Sequence, residues 1–422
     1  MKTKRCRMCK STDITPFLNM GEQPLVNSLL TKEELKLPEE SYKLVVSYCN
    51  DCGLVQIVNP IAATKIYQDV DYLYFSSDMP GLRDYFEEYI IKSVLKYLRD
   101  DDLVVEIGSN DGILLRLLQN NKWKVENNVY EMSEKWRVLG VDPATNVVLR
   151  ALKKGIPTIP AFFTENVAKK IEKEWGKAKV MIGNNCIAHL NDLDDLMKGV
   201  DALLTDDGVF IIEANYWGGM VDNTNYSLIY HDHFSYFTFT VWDAFLSKFG
   251  FELIDAIVTP AQGGSMRMTI AREGAHKCSD NVEKCIKAEF DRDLDSLQTC
   301  KRFAKSVKQS AKKLNKLVKQ IVDDDGTIAG YGAAAKGFTI LNMSELGQDD
   351  LVCCIDDSPA KQNMYVPLNH IQILSRKDAE ELEFNHILIL PWNYRDTIMN
   401  KEVEFKKRGG KFIIPVGDIG VI

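Results

Sequence analysis

The apolar run Leu103-Val104-Val105-Glu106-Ile107 leads straight into Gly108-Ser109-Asn110-Asp111-Gly112, and helical apolar spacing resumes from Ile113 to Leu118. A buried strand that feeds a glycine turn and then a helix is the opening unit of an alternating α/β chain. Strand-like runs at 137–143, 156–162, 179–183 and 208–213 alternate with helical patterns at 82–98, 166–174 and 193–204. This order predicts a parallel, doubly wound sheet with its ligand crevice beyond the carboxyl ends of the strands. A second unit opens at Thr327-Ile328-Ala329-Gly330-Tyr331-Gly332-Ala333-Ala334-Ala335-Lys336-Gly337 and continues with strands at 351–355, 386–390 and 411–415. Between the two units, a charged helical tract at 279–322 reads as an amphipathic surface connector without sustained heptads.

The glycines after the first strand are spaced differently from the dinucleotide fingerprint, where three close glycines admit a pyrophosphate to a helix N-terminus. Glu106 at the strand end would repel a phosphate and suits a cationic or amine-bearing ligand. Asp142 ends the next strand, placed to accept hydrogen bonds from ribose hydroxyls. An acid after each of two strands around a glycine loop follows the logic of a class I S-adenosylmethionine fold. The expected cofactor contacts are Glu106, Gly108, Asn110, Asp111, Gly112, Asp142 and Asn185.

Four of the ten cysteines are paired in sequence as Cys6-x-x-Cys9 and Cys49-x-x-Cys52. Two knuckle-type pairs supply four thiolates to one tetrahedral zinc and leave no open position, so the expected role is structural. The alternative, two redox-active pairs, lacks a thioredoxin-like helix after either motif. The other six cysteines read as free thiols, in keeping with a cytoplasmic protein.

At 422 residues the chain exceeds what one core usually serves. The expected division is a zinc module at 1–70, a cofactor domain at 71–255 and a Rossmann-like domain at 256–422. Net charge is −8, which argues against nucleic acid as partner. No stretch is long and apolar enough to span a bilayer, and the N-terminus carries no apolar signal region. Oligomeric state stays open between monomer and dimer.

Titratable groups concentrate in Tyr230-His231-Asp232-His233-Phe234-Ser235-Tyr236, which holds two of the six histidines. Such a cluster between regular elements is suited to proton transfer, with a surface loop as the plainer reading. Asp69-Val70-Asp71-Tyr72-Leu73-Tyr74-Phe75-Ser76-Ser77 suits either a loop closing over a ligand or an edge strand on the zinc module. His189 suits a helix cap or a core position as well as the site. In the C-terminal unit, small residues let the backbone approach a phosphate and Lys336 adds a charge to it. Tyr331, Gly332, Ala333, Lys336, Asp356 and Trp392 are the candidate contacts there, with Tyr74 and Ser76 from the earlier loop.

Five motifs in one order, Cys6-x-x-Cys9…Cys49-x-x-Cys52, Glu106-Ile-Gly-x-Asn-Asp-Gly112, Tyr230-His-x-His233, Gly330-Tyr-Gly-Ala-Ala-Ala-Lys-Gly337 and Leu390-Pro-Trp-Asn393, resemble the sugar C-methyltransferase family over essentially the whole chain. The resemblance implies a three-part enzyme: a zinc module, an S-adenosylmethionine domain and a C-terminal domain that helps hold a nucleotide sugar. It implies methylation beside the keto group of a nucleotide-linked 4-keto-deoxysugar, dTDP-linked and at C3, with His233 as the base. Tyr72, Tyr74, Tyr230, His189 and His231 are then candidate donors to the enolate oxygen. Asp232 stands where the family has glutamate, and its shorter reach leaves its role as partner or sugar contact open. The 123–136 segment is extra sequence before the second strand. Competing classes are a zinc-containing RNA or protein methyltransferase, an NAD-dependent oxidoreductase and a non-catalytic scaffold. The acidic balance disfavours the first and the weak dinucleotide fingerprint the second.

Overall fold

The computed structural model describes residues 5–26, 28–68, 72–79, 81–120, 123–125, 128–130 and 136–422. Its centre is a seven-stranded sheet in the order Phe251–Thr259, Ser265–Arg272, Leu204–Asn215, Ala178–Asn184, Leu103–Ile107, Arg137–Asp142, Thr158–Pro160. The strands from Leu204–Asn215 to Thr158–Pro160 pair in parallel. Leu103–Ile107 lies between Ala178–Asn184 and Arg137–Asp142, so the topological switch falls where its glycine turn emerges.

The hairpin Phe251–Thr259/Ser265–Arg272 is antiparallel and completes this sheet. The expected boundary at 255 therefore cuts through a paired strand, and the sheet ends at Arg272. Gln262-Gly263-Gly264 is the hairpin's connection, where positive φ at all three residues turns the chain back. The 82–98 pattern also differs from a uniform helix: Leu82–Tyr89 is α-helical, Ile90–Val94 forms a π turn and Leu95–Tyr97 a 3-10 turn. Of the extra segment, Trp123–Val125 and Asn128–Tyr130 pair with each other in a two-stranded ribbon. Residues 121–122, 126–127 and 131–135 lie outside the described residues, as do Asp69, Val70 and Asp71.

The C-terminal sheet runs Ile373–Leu374, Cys353–Ile355, Ile328–Tyr331, His386–Ile389, Lys411–Ile414, Gly420–Val421, parallel except for its last pair. The charged tract before it forms two helices, Asp280–Asp291 and Leu297–Asp323, separated by Asp293 at φ 53°. Ser296 caps the second by accepting from the Thr299 amide, and Phe303, Val307, Leu314 and Val318 form its buried stripe.

The N-terminal strands Ile14–Gln23, Tyr42–Cys49 and Val55–Ile57 form an antiparallel sheet whose fourth strand is Ser235–Tyr236, supplied by the middle of the chain. One apolar core joins this sheet to the C-terminal unit: Leu18, Val46, Trp217, Phe234, Phe303, Phe338 and Leu388 belong to a single buried cluster. Fully buried Trp217 stands edge-on to Phe17 on one side and Phe303 on the other. The three parts are thus packed together and not threaded on linkers.

Beneath the crevice, Arg267 bonds Glu213 (2.8 Å), the Ser93 hydroxyl (3.0 Å) and the Tyr85 hydroxyl (2.8 Å), and lies over the Tyr89 ring at 4.4 Å. Tyr85 also donates to Glu213. This buried network ties the 82–94 segment to the sheet. Removing one partner leaves an uncompensated charge, which costs about 3–5 kcal/mol. Glu213→Gln is expected to lower the unfolding free energy by about that much, and Glu213→Gln/Arg267→Met to recover most of it. Denaturant titration checks both; an unchanged midpoint in Glu213→Gln contradicts the network's role.

Candidate active site

Gly108 at φ 67° turns the chain away from the central strand, and a Cβ there would meet Cys186 at 2.5 Å. Asp142 holds this turn: it accepts from the Asn110 amide (3.0 Å) and the Ala144 amide (2.9 Å). Burial pushes its carboxyl up to about 6 against those two amides. Glu106 is buried, and one of its oxygens has no hydrogen-bond partner among the described residues. Burial raises its carboxyl well above the usual range, and the neighbouring Asp142 and Asp111 add to this. Both amide atoms of Asn184 are likewise buried and unpartnered. These groups, with Gly108, Asn110, Asn185, Phe162 and His189, wall one cavity at the switch point.

Two expected cofactor contacts lie elsewhere. Asp111 is fully buried behind the wall, where it accepts from the Ser77 amide (3.2 Å), the Ser77 hydroxyl and Lys154 (2.7 Å). Gly112 gives room for Ile156, 3.1 Å from where its Cβ would be. Both residues support the turn; neither faces the cavity.

The segment 72–79 is a strap across the cavity mouth and not an edge strand. Asn110 clasps it, accepting from the Ser76 amide (2.7 Å) and donating to the Tyr74 carbonyl (3.0 Å), while Asn146 donates to the Tyr72 carbonyl (3.0 Å). Tyr72, Tyr74 and Ser76 thereby enter the cavity wall.

Behind His189 lies the histidine cluster. The Ser235–Tyr236 strand, the Ile57 amide on the Phe234 carbonyl (3.0 Å) and the Phe234 amide on the Ala188 carbonyl (2.7 Å) pin its backbone. His233 Nδ1 is 2.6 Å from the Leu228 carbonyl, which can only accept, so Nδ1 carries the proton. Nε2 is then the basic nitrogen and receives the Tyr230 hydroxyl at 2.9 Å. Burial holds this imidazole well below its usual range, and the charges of His189 and Lys336 act in the same direction. His189 meets it edge-on at 4.8 Å, lines the cavity and bonds the Tyr67 hydroxyl through Nδ1. His233 itself stands one ring behind the cavity wall. Asp232 is buried with its charge felt by Tyr67, Tyr72 and Tyr230, and burial raises its carboxyl to about 7.

His231 points the other way, its Nε2 on the Tyr42 carbonyl (3.0 Å) and its ring against Tyr42. It belongs to the N-terminal sheet and not to the site, because the turn at 230–233, closed by the His233 amide on the Tyr230 carbonyl (3.0 Å), sends the two imidazoles in different directions.

The C-terminal unit reaches this region through Lys336, whose ammonium bonds Gln262 Oε1 (2.5 Å) and Asn393 Oδ1 (3.4 Å), and through Trp392, whose indole donates to the Ser227 hydroxyl (3.2 Å). Tyr331 faces the opposite side of its sheet, in the core with Ile355, Ile389 and Phe412. Asp356 is occupied by the Ala333 amide (2.8 Å) and the Ser358 amide (2.9 Å), and Gly332 is pressed by Pro391. Tyr331, Gly332, Ala333 and Asp356 therefore do not join Lys336 and Trp392 at the seam. Sequence reasoning missed Tyr67, Asn184 and Gln262, which all line the cavity. Gln262 carried one signal, its place in an interrupted strand.

Cys6, Cys9, Cys49 and Cys52 converge with all four sulfurs within 4.8 Å of one another. Turns at Lys10 and Gly53, both at positive φ, fold each knuckle back. Closest sulfur pairs at 3.5 Å fit four thiolates around one ion, since metal–sulfur bonds of about 2.3 Å place tetrahedral sulfurs nearly 4 Å apart.

A parallel sheet with an acid at the end of its central strand and another at the end of the next is a class I methyltransferase fold. Family models agree along the chain: "Putative zinc binding domain" matches 6–67, "Methyltransferase domain" 82–256 and "C-methyltransferase C-terminal domain" 260–417. The last begins inside the hairpin that completes the central sheet. The chain is 31% identical to C-methyltransferase NovU of Streptomyces niveus over 419 residues, 99% of this chain and 96% of that one. It belongs to the C-methyltransferase family. Among solved structures it is similar to magnesium protoporphyrin IX methyltransferase of Synechocystis (14% identity, TM-score 0.34, 50% of this chain and 92% of that one). Another is an S-adenosylmethionine-dependent methyltransferase of Anabaena variabilis (13%, 0.31, 45% and 93%).

Asp232 is the cleanest probe of the site's electrostatics, because its carboxylate accepts no hydrogen bond among the described residues. An acid raised by folding from its ordinary value near 4 to about 7 costs stability above the lower value, in full above the upper one. Asp232→Asn is expected to unfold about 2–4 kcal/mol less readily at pH 8 and to match the unsubstituted protein at pH 4. Denaturant titration at both pH values reads the gap; an equal gap at pH 4 contradicts the assignment.

Proposed function

We propose that the protein is an S-adenosylmethionine-dependent C-methyltransferase that methylates a nucleotide-linked 4-keto-deoxysugar, dTDP-linked, at C3 beside the keto group. The observation that carries this reading is the buried His233–Tyr230 pair, tautomer fixed, one ring from a cavity built for a cationic cofactor. The full-length similarity to a C-methyltransferase supports it.

Forming a carbon–carbon bond needs a carbanion equivalent, and a C–H beside a carbonyl is acidic enough to supply one. His233, held neutral by burial, receives the proton at Nε2 through Tyr230, whose hydroxyl passes its own proton to Nε2 as the phenolic oxygen takes the one leaving carbon. The electron pair moves into the ring and the carbonyl oxygen takes the charge, where each preorganised donor is worth on the order of 3 kcal/mol. Tyr72, Tyr74 and His189 stand on the cavity side to offer such donors. Glu106 and Asp142 would hold S-adenosylmethionine, by its ammonium and its ribose hydroxyls, and the cofactor when bound would supply an electrophilic methyl. Trp392 holds the sugar nucleotide at the seam, with Lys336 beside its sugar. The four cysteines would hold a zinc ion that fixes the N-terminal sheet, and with it the Ser235–Tyr236 strand that follows His233, with no open position for chemistry.

Incubation with S-adenosylmethionine and a panel of dTDP-4-keto-deoxysugars is expected to add 14 daltons to one of them; no gain with any would sink the reading. His233→Asn should abolish turnover and leave S-adenosylmethionine affinity, read by calorimetry, unchanged. Retained turnover would move the base elsewhere. Metal analysis should find one zinc per chain, and its removal should lower the melting temperature. An equal melting temperature after stripping would contradict a structural zinc.

A further inference from the structure

Lys336 is an ammonium with an unusual neighbourhood. Its two partners are the neutral amide oxygens of Gln262 and Asn393, and no carboxylate lies within ion-pair distance of it among the described residues. Desolvation lowers its proton affinity to about 7, as expected for a partly buried ammonium without a counter-charge. Such an arrangement costs stability and suits a group that awaits an anion.

The loop around it is poorly suited to receive that anion as a diphosphate. The Ala333 amide, which a phosphate would use, already donates to Asp356 at 2.8 Å, placing a carboxylate at the mouth of the turn. Lys361, another cation there, is engaged with Asp356 (3.6 Å) and the Ala333 carbonyl (2.8 Å). Lys336 instead points across the seam. Gln262, its nearest partner, lines the cofactor cavity, and the lysine's charge reaches His233. An anion beside Lys336 therefore lies at the wall of the cofactor cavity, within the electrostatic reach of the base.

We propose that Lys336 is a catalytic residue whose ammonium holds the enolate oxygen of the substrate, rather than an anchor for its diphosphate. The C–H bond breaks with its proton passing to the Tyr230 oxygen as the tyrosine's own proton passes to His233, its electron pair forms the C=C bond, and the carbonyl π pair becomes the oxygen lone pair facing Lys336. That pair returns as the new carbon–carbon bond forms and the sulfur–methyl bond breaks, with the electrons of that bond left on sulfur. The inference rests on the reading above and specifies how the same site handles charge.

The test separates enolisation from nucleotide binding. With S-adenosylhomocysteine in place of the methyl donor, the unsubstituted protein should exchange the substrate's carbon-bound hydrogen for deuterium from D2O, read as a 1-dalton gain over the enzyme-free rate. In Lys336→Met, exchange at saturating substrate should fall about 10²–10³-fold, the loss typical of a removed oxyanion donor, while affinity for dTDP alone stays within about twofold. Lys336→Gln should behave alike, and unchanged S-adenosylhomocysteine affinity shows that either variant is folded. Exchange retained at saturation, whether or not dTDP affinity drops, overturns the role. No exchange by the unsubstituted protein would overturn the proposed function itself, and this inference with it.

Discussion

The bond from His233 Nδ1 to the Leu228 carbonyl organises the site. A backbone carbonyl cannot donate, so this contact fixes which ring nitrogen is basic before any ligand arrives. The carbonyl is itself held by a short turn at Tyr226–Leu228, and Ser235–Tyr236 on the far side is stitched into the N-terminal sheet. Removing either support would let the ring rotate. The cysteine-rich module, which among the described residues gives the cavity Tyr67, thus acts as a clamp on the base.

Charge economy explains the rest of the architecture. The region collects Glu106, Asp142, Asp232, His189, His233 and Lys336, and burial pushes each towards its neutral form. That is a favourable ground state for a reaction in which charge appears on a carbonyl oxygen and vanishes from a cationic donor. It is also costly to fold. The shared core offsets it: Trp217, Phe303 and Phe338 are completely or almost completely buried between parts that sequence divides into separate domains, and each such side chain contributes on the order of 2–3 kcal/mol.

What could be read from sequence was whatever is local. Glu106, Gly108 and Asp142 sit where a strand end and a glycine turn must put them, so spacing alone placed them in the crevice. The paired cysteines were equally legible, because two knuckles have few ways to satisfy four thiols. Facing was not legible. Asp111 is adjacent to cavity-lining Asn110 but turns inward to Ser77 and Lys154; Tyr331 precedes the glycine loop but packs on the far side of its sheet; His231 is next to Asp232 but meets Tyr42. In each case a one-residue step reverses the side chain, and only tertiary packing decides which face is the working one. The hairpin at 251–272 straddles the expected boundary for a related reason, since an antiparallel return carries no mark of the sheet it joins. Tyr67 reaches the cavity from a distant segment and left no pattern, and Gln262 left only the interruption of its strand.

The account depends on both Rossmann-type units facing one space. A crystal structure with S-adenosylhomocysteine and a 4-keto sugar nucleotide bound together tests this most directly. The sulfur should lie on the cavity side of His189, with the sugar's keto carbon between it and the His233–Tyr230 pair and the carbonyl oxygen against Lys336. A sugar bound on the outer face of the C-terminal sheet, near Tyr331 and away from the sulfur, would contradict it.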